Sequence, residues 1–123
     1  MNLIFFTAAL SGLIHILFFL LESIFFSNHR VYKNIFQMTE QEMTHTKLIF
    51  FNQGFYNLFL AAGTFLGIYD SIKSGTLDLV LYTSSFMLGA SIVLFLSKRK
   101  LYKGALLQGL IPLLTILLII FKS

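Results

Sequence analysis

The chain has 123 residues, of which 57% are hydrophobic and 11% charged, with a net charge of +4 and no cysteine. A soluble domain of this length cannot hide so much apolar surface, whereas lipid solvates it, and the lack of cysteine excludes disulfides and thiolate metal sites. The basic residues lie beside the ends of apolar runs, where they set topology, so the positive charge does not point to nucleic acid.

Four apolar stretches, 3–26, 48–69, 77–97 and 101–121, each reach the roughly 20 residues that a bilayer crossing needs. The first reads as a span rather than a signal peptide: it has no basic leader, is too long, and no small-x-small site follows Phe26. The connection Asn28–Met38 is mixed polar and aromatic and is expected to lie along the surface. Thr39-Glu40-Gln41-Glu42 then reads as a capping box, so the second helix is expected to start near Glu40 and to continue to about Tyr69. Ser71–Thr76, with Gly75, is expected to be a short turn, and Lys98–Lys100 a tighter one that folds the last two stretches into an antiparallel hairpin. Continuous apolar runs of this length argue against transmembrane strands. The expected fold is therefore all-α: one domain, 1–123, an integral membrane four-helix up-down bundle with short connections.

Charge orients that bundle. Arg30, Lys33 and Lys47 fall between the first two stretches, and Lys98, Arg99, Lys100 and Lys103 between the last two. The opposite side has Lys73 and Lys122, with Asp70 and Asp78 nearby. The positive-inside rule puts the basic connections in the cytoplasm and both termini outside. Tyr32 and Tyr102 fall near the inner interface, Tyr69 and Tyr82 near the outer one. Abundant Phe, Ile, Leu, Lys and Asn without Trp suit an AT-rich bacterial genome, which makes the expected location a bacterial cell membrane. Gly63-xxx-Gly67, Ser85-xxx-Gly89 and Ala105-xxx-Gly109 fit the small-xxx-small pattern of close helix approach. Packing within one bundle is the favoured reading, and homo-oligomerisation stays open.

Polar groups inside the apolar stretches are the functional clue. His15 and Glu22 lie on nearly one face of the first helix, about 10 Å apart along its axis. On the second, Asn52 with Tyr56 and Gln53 with Asn57 form i,i+4 pairs. On the fourth, Gln108 stands one turn before Pro112, which removes the N–H that would bond the Gln108 carbonyl. An ionised carboxylate facing lipid costs about 2.5–3.5 kcal/mol on insertion scales. Inward gathering avoids that cost. The expected site is one polar pocket open to the cytoplasm, with His15, Glu22, Asn52, Gln53, Tyr56, Asn57 and Gln108 as ligand-binding residues and Pro112, Gly63 and Gly67 as structural ones. No catalytic residue, cofactor or metal set is assigned, since one His and one Glu make a poor metal site.

The run Asn52-Gln53-Gly54-Phe55-Tyr56-Asn57-Leu58-Phe59-Leu60-Ala61-Ala62-Gly63 resembles the central signature of a small bacterial integral-membrane family, domain of unknown function 1304. His15 followed by Leu21-Glu22 resembles its first-helix motif, and Gln108-Gly109-Leu110-Ile111-Pro112 its last. The resemblance implies a four-span membrane protein and no established activity. This sequence departs from the family pattern at Ile14, where a second acid often stands.

Three functions compete. The leading one is binding or transport of a small amphipathic or cationic molecule, with Glu22 as its charge partner and membrane lipids as the surroundings. The second is a membrane-embedded lipid or isoprenoid enzyme in which His15 and Glu22 trade protons. No nucleophile or phosphate cradle supports it. The third is a structural or assembly subunit whose polar groups hold helices in register.

Overall fold

The computed structural model describes residues 2–122, so Met1 and Ser123, the two ends of the expected domain, lie outside the described residues. It is all-α, with no strand among those residues. Helix α1 (Asn2–Phe19) runs into a π-helical turn, Leu20–Ile24. A second π-helical turn, Arg30–Ile35, precedes α2 (Glu40–Ser74). Then come α3 (Asp78–Ser97), a 3-10 turn (Arg99–Leu101) and α4 (Tyr102–Phe121).

Among the described residues, three helical segments are long and apolar enough to cross a membrane: Asn2–Ile24, Asp78–Ser97 and Arg99–Phe121. The remaining expected span, 48–69, lies inside α2, which is long enough but not in that set. Asn52, Gln53, Tyr56 and Asn57 fall within two turns of it and lower its hydropathy.

Helix α2 starts where its sequence says it should. Thr39 Oγ1 accepts the Glu42 N–H and Glu42 Oε1 accepts the Thr39 N–H, each at 3.1 Å, so two of the unpaired donors at the helix start are satisfied. The helix ends later than expected. It passes Tyr69 and runs to Ser74, giving 35 residues and about 52 Å. Ser71 and Ser74 return their hydroxyls to the carbonyls of Gly67 and Asp70, which keeps the last turn wound. Gly75, at φ 80°, then ends it in the left-handed conformation that glycine adopts at little cost. The expected turn at Ser71–Thr76 therefore shrinks to the three residues between Ser74 and Asp78.

Each long helix packs on two others. Helix α1 lies against α2 and α4, α3 lies against α2 and α4, and α1 barely meets α3. Small residues set the closest approaches. A Cβ on Gly67 would stand 3.1 Å from both the Val80 backbone nitrogen and its Cγ2, and one on Gly63 would stand 3.5 Å from Thr83 Cγ2. Gly109 has the Ser91 side chain against it. Two of the three small-residue motifs thus mark helix contacts. The third does not, because Ser85 and Gly89 are exposed and nothing lies near where a Gly89 Cβ would be. Outside these seams the helices present apolar side chains such as Leu3, Phe6, Ile49, Phe59 and Val93 to their surroundings.

The connection between α1 and α2 is only partly a surface segment. Val31, Tyr32, Phe36 and Met38 are buried with Phe26 and Met43 in one cluster. Phe26 stacks on Phe50 with ring centres 4.5 Å apart, and Phe36 meets both rings edge-on at 5.4 Å. Burying this many aromatic carbons outweighs the solvation of the polar residues between them. Tyr32 sits in that plug, whereas Tyr69, Tyr82 and Tyr102 are exposed.

The capping box gives a pH-dependent prediction. The Thr39 backbone N–H, the Thr39 hydroxyl and, more weakly, Lys100 and Lys98 hold the Glu42 carboxyl below its ordinary value of 4.5. A depressed folded-state value stabilises the fold above the ordinary value, and that stabilisation is lost as pH falls through the depressed one. Glu42→Gln should flatten the acid limb of a melting-temperature profile. Thr39→Ala should lower stability by about 1 kcal/mol near neutral pH in a denaturant titration.

Candidate functional site

The inward face of α1 carries Thr7, Ser11, His15 and Phe18, and Glu22 follows from the π-helical turn; all are buried. Thr7 is held across the interface by Thr115 of α4, whose hydroxyl donates to Thr7 Oγ1 at 2.8 Å. His15 Nδ1 lies 2.9 Å from the Ser11 carbonyl oxygen. A carbonyl can only accept, so Nδ1 carries the hydrogen and the imidazole is anchored to its own helix.

Glu22 is anchored differently. Asn57 of α2 donates its Nδ2–H to Glu22 Oε1, and Glu22 as a residue is only 3% exposed. The wider π-helical turn, closed by the Phe25 N–H on the Leu20 carbonyl at 2.8 Å, docks this stretch onto α2. Ser23 Oγ donates to the Phe51 carbonyl at 2.7 Å, and Phe19 meets Phe55 edge-on at 5.0 Å. Between these ties Gly54 lies under the turn. A Cβ there would run into the Ser23 side chain and stand 3.1 Å from the Phe19 carbonyl.

Glu22 and Asn57 form part of the wall of a cleft of about 1540 Å3. Leu17, Phe18 and Leu21 continue the wall on α1, Phe50 and Gln53 on α2, and Leu107 and Gln108 on α4. Helix α3 contributes Phe86, Gly89, Ala90, Val93, Leu94 and Ser97. Asn34 and Gln37 of the first connection and Lys98, Lys100 and Lys103, all exposed, line its polar end, termed the mouth. Helices α2 and α3 meet closely at Gly63 and Gly67, and toward the lysines the cleft takes the space between them.

Four of the seven expected ligand-binding residues are brought together on this wall: Glu22, Gln53, Asn57 and Gln108. Three are not. His15 is buried away from the cleft, and Asn52 and Tyr56 are exposed on another face of α2, Tyr56 by 69%. One residue is about 100° of helix rotation, so neighbouring i,i+4 pairs cannot share a face. The broad polar patch read from the sequence splits, with the exposed Gln53 and the half-buried Asn57 lining the cleft and Asn52/Tyr56 off it. Pro112 is fully buried one turn beyond Gln108, and Gly63 and Gly67 sit at the α2–α3 seam.

The residues that the sequence did not place in the site are Asn34, Gln37 and the lysines. Gln37 Nε2 donates to the Lys100 carbonyl at 3.0 Å, and Lys100 Nζ donates to the Gln37 carbonyl at 3.1 Å. This reciprocal clasp joins the first connection to the α3–α4 turn. Gln37 is also at φ 56°, which no other non-glycine adopts among the described residues. The clustering of Lys98, Lys100 and Lys103 was visible in the sequence, but only the fold turns them to a common opening.

A family model described as "Protein of unknown function (DUF1304)" matches residues 9–120, nearly the whole chain and every long helix. The chain belongs to this family. The cleft-wall residues Glu22, Gln53, Asn57 and Gln108 all fall inside the DUF1304 match. Comparison with curated proteins and with solved structures gave no match.

Two substitutions test the geometry. Asn57→Leu leaves the buried Glu22 carboxylate without its donor and should destabilise the protein by about 1–3 kcal/mol. Gly54→Ala should cost a similar amount, about 1–3 kcal/mol, by overpacking the α1–α2 seam. Both are read as melting temperature in detergent, with Tyr56→Phe as an exposed control expected to melt like the parent.

Proposed function

We propose that this DUF1304 member is a membrane-embedded protein that binds, and by extension transports, an amphipathic molecule in the cleft between its helices. The observation that carries this reading is the cleft itself, with a buried carboxylate and amides on an otherwise apolar wall. Ligand sites combine mostly apolar linings with a few placed polar groups, in volumes of about 300–1,000 Å3. This one is larger, which suits a molecule with a substantial apolar part.

In this reading α2 is a further crossing and completes a four-helix up-down bundle. Leu48, Ile49, Phe59 and Leu66 expose apolar surface along it, while Gln53 and Asn57 turn to the cleft. The basic connections then lie at the cytoplasmic end and both termini outside. Two rival functions fare worse. An acid–base enzyme would need His15 and Glu22 at one substrate, and His15 stands off the cleft. A purely structural subunit would be expected to close its polar seam rather than leave it open.

A thermal-stability screen of amphiphiles on the purified protein in neutral detergent tests the proposal. The expected result is a set of compounds that raise the melting temperature of the parent but not of Gly89→Phe, whose ring would project into the cleft from an otherwise open position. Shifts that survive Gly89→Phe would overturn it. Glu22→Gln keeps an acceptor for Asn57, so it should melt within a few degrees of the parent while changing which compounds bind.

A further inference from the structure

The cleft is asymmetric in charge. Three lysines, Lys98, Lys100 and Lys103, stand at its mouth. Its wall has one acid, Glu22, whose Oε1 is already bonded to Asn57. Glu42, whose carboxyl feels Lys100 and Lys98, lies outside the wall and offsets one of the three positive charges. Lys100 spends one donor on the Gln37 carbonyl, which leaves two of its three N–H groups free for another acceptor. Away from the mouth the wall is apolar, formed by Leu17, Leu21, Phe86, Val93, Leu94 and Leu107. On α3 this wall is also exposed: Val93 is 64% accessible, and a Cβ on Gly89 would meet nothing within 4 Å. A cationic head would be repelled at the lysines. An anionic head would be held there while its chain follows the apolar wall, entering sideways between α2 and α3.

We infer that the occupant is an anionic single-chain lipid drawn from the surrounding bilayer, its phosphate head bound by Lys98, Lys100 and Lys103 and its acyl chain lying in the cleft between α2 and α3. This rests on the binding reading above and narrows its ligand class. Lysines at the headgroup level of an anionic leaflet attract such lipids, and here three of them line a cleft of about 1540 Å3 rather than a flat surface. Gln53 and Gln108 supply amide groups on the same wall for the polar glycerol region.

The test measures binding by native mass spectrometry in dodecyl maltoside. The probes are oleoyl lysophosphatidic acid, oleoyl lysophosphatidylcholine, dodecyltrimethylammonium and inorganic phosphate. Lysophosphatidic acid should bind most tightly. Lys98→Gln/Lys103→Gln should weaken it about twenty-five-fold, about five-fold for each charge removed, with lysophosphatidylcholine little changed. These two lysines are chosen because the Gln37 clasp does not use their side chains. Lys73→Gln/Lys122→Gln removes the same charge away from the cleft and should leave binding within about two-fold. Equal weakening by that pair would overturn the inference as non-specific attraction. Displacement of the lipid by millimolar inorganic phosphate would overturn the lipid assignment. Preferential binding of dodecyltrimethylammonium that Gly89→Phe abolishes would sink the anionic head and leave the binding function standing. Binding of every amphiphile unchanged in Gly89→Phe would sink both.

Discussion

The hydrogen bond from Asn57 to Glu22 is the interaction around which this half of the molecule is arranged. A carboxylate in an apolar setting needs a donor, because leaving it unpaired costs more than making the bond returns. The donor sits on a different helix, so satisfying Glu22 fixes the rotation of α2 against α1. That rotation sends Gln53 to the cleft and Asn52 and Tyr56 away from it. The π-helical turn, the Ser23–Phe51 bond and the bare backbone at Gly54 all serve the same approach. Helix α3 then approaches α2 closely at Gly63 and Gly67, and the cleft opens toward the other end of that pair.

Buried hydroxyls line the other half. Thr64, Ser71 and Thr83 return their hydrogens to carbonyls of their own helices, and the single hydroxyl hydrogen of Thr115 is shared between Thr7 Oγ1 at 2.8 Å and the Ile111 carbonyl at 3.1 Å. Ser11 and Ser84 have buried hydroxyls without a partner among the described residues. Small side chains let backbones come together, and van der Waals packing carries most of the association of apolar helices. The two halves therefore differ in kind. One is closed by small residues in close contact, and the other is held open around a mostly apolar wall that carries one carboxyl, three amides and a basic rim.

Much of this was legible because local chemistry decides it. Thr39 and Glu42 announce a cap within four residues, and long uninterrupted apolar runs announce helices. Glu22, Asn57, Gln53 and Gln108 stood out because apolar surroundings make each of them costly, and the fold gathers all four. What stayed hidden depends on longer-range geometry. The phase of α2 is set by contacts with α1, so the sequence could not say which i,i+4 pair lines the cleft. Inserting a π-helical turn at Leu20–Ile24 changes side-chain direction without a compositional mark. His15 was expected to line the pocket, yet it is buried off the cleft with Nδ1 on the Ser11 carbonyl one turn back. The segment containing Tyr32 and Phe36 looked like surface because polar residues alternate with its aromatic ones. Burial there is decided by the cap it forms over Phe26 and Phe50.

The Gln37–Lys100 clasp is built on a backbone conformation that a non-glycine residue adopts at a cost of order 1–3 kcal/mol. Its two hydrogen bonds each contribute about 0.5–1.5 kcal/mol, somewhat more where the lysine ammonium is the donor. The same conformation lets the Met38 N–H reach back to the Tyr32 carbonyl at 2.8 Å, so it closes the π-helical turn whether or not the clasp is made. The α1–α2 connection and the α3–α4 turn are thus fastened to one another here by two exposed hydrogen bonds, carried on a residue that its own turn already holds in place. A fastening of that size can yield to a molecule of modest affinity without disturbing the tightly seamed half of the protein.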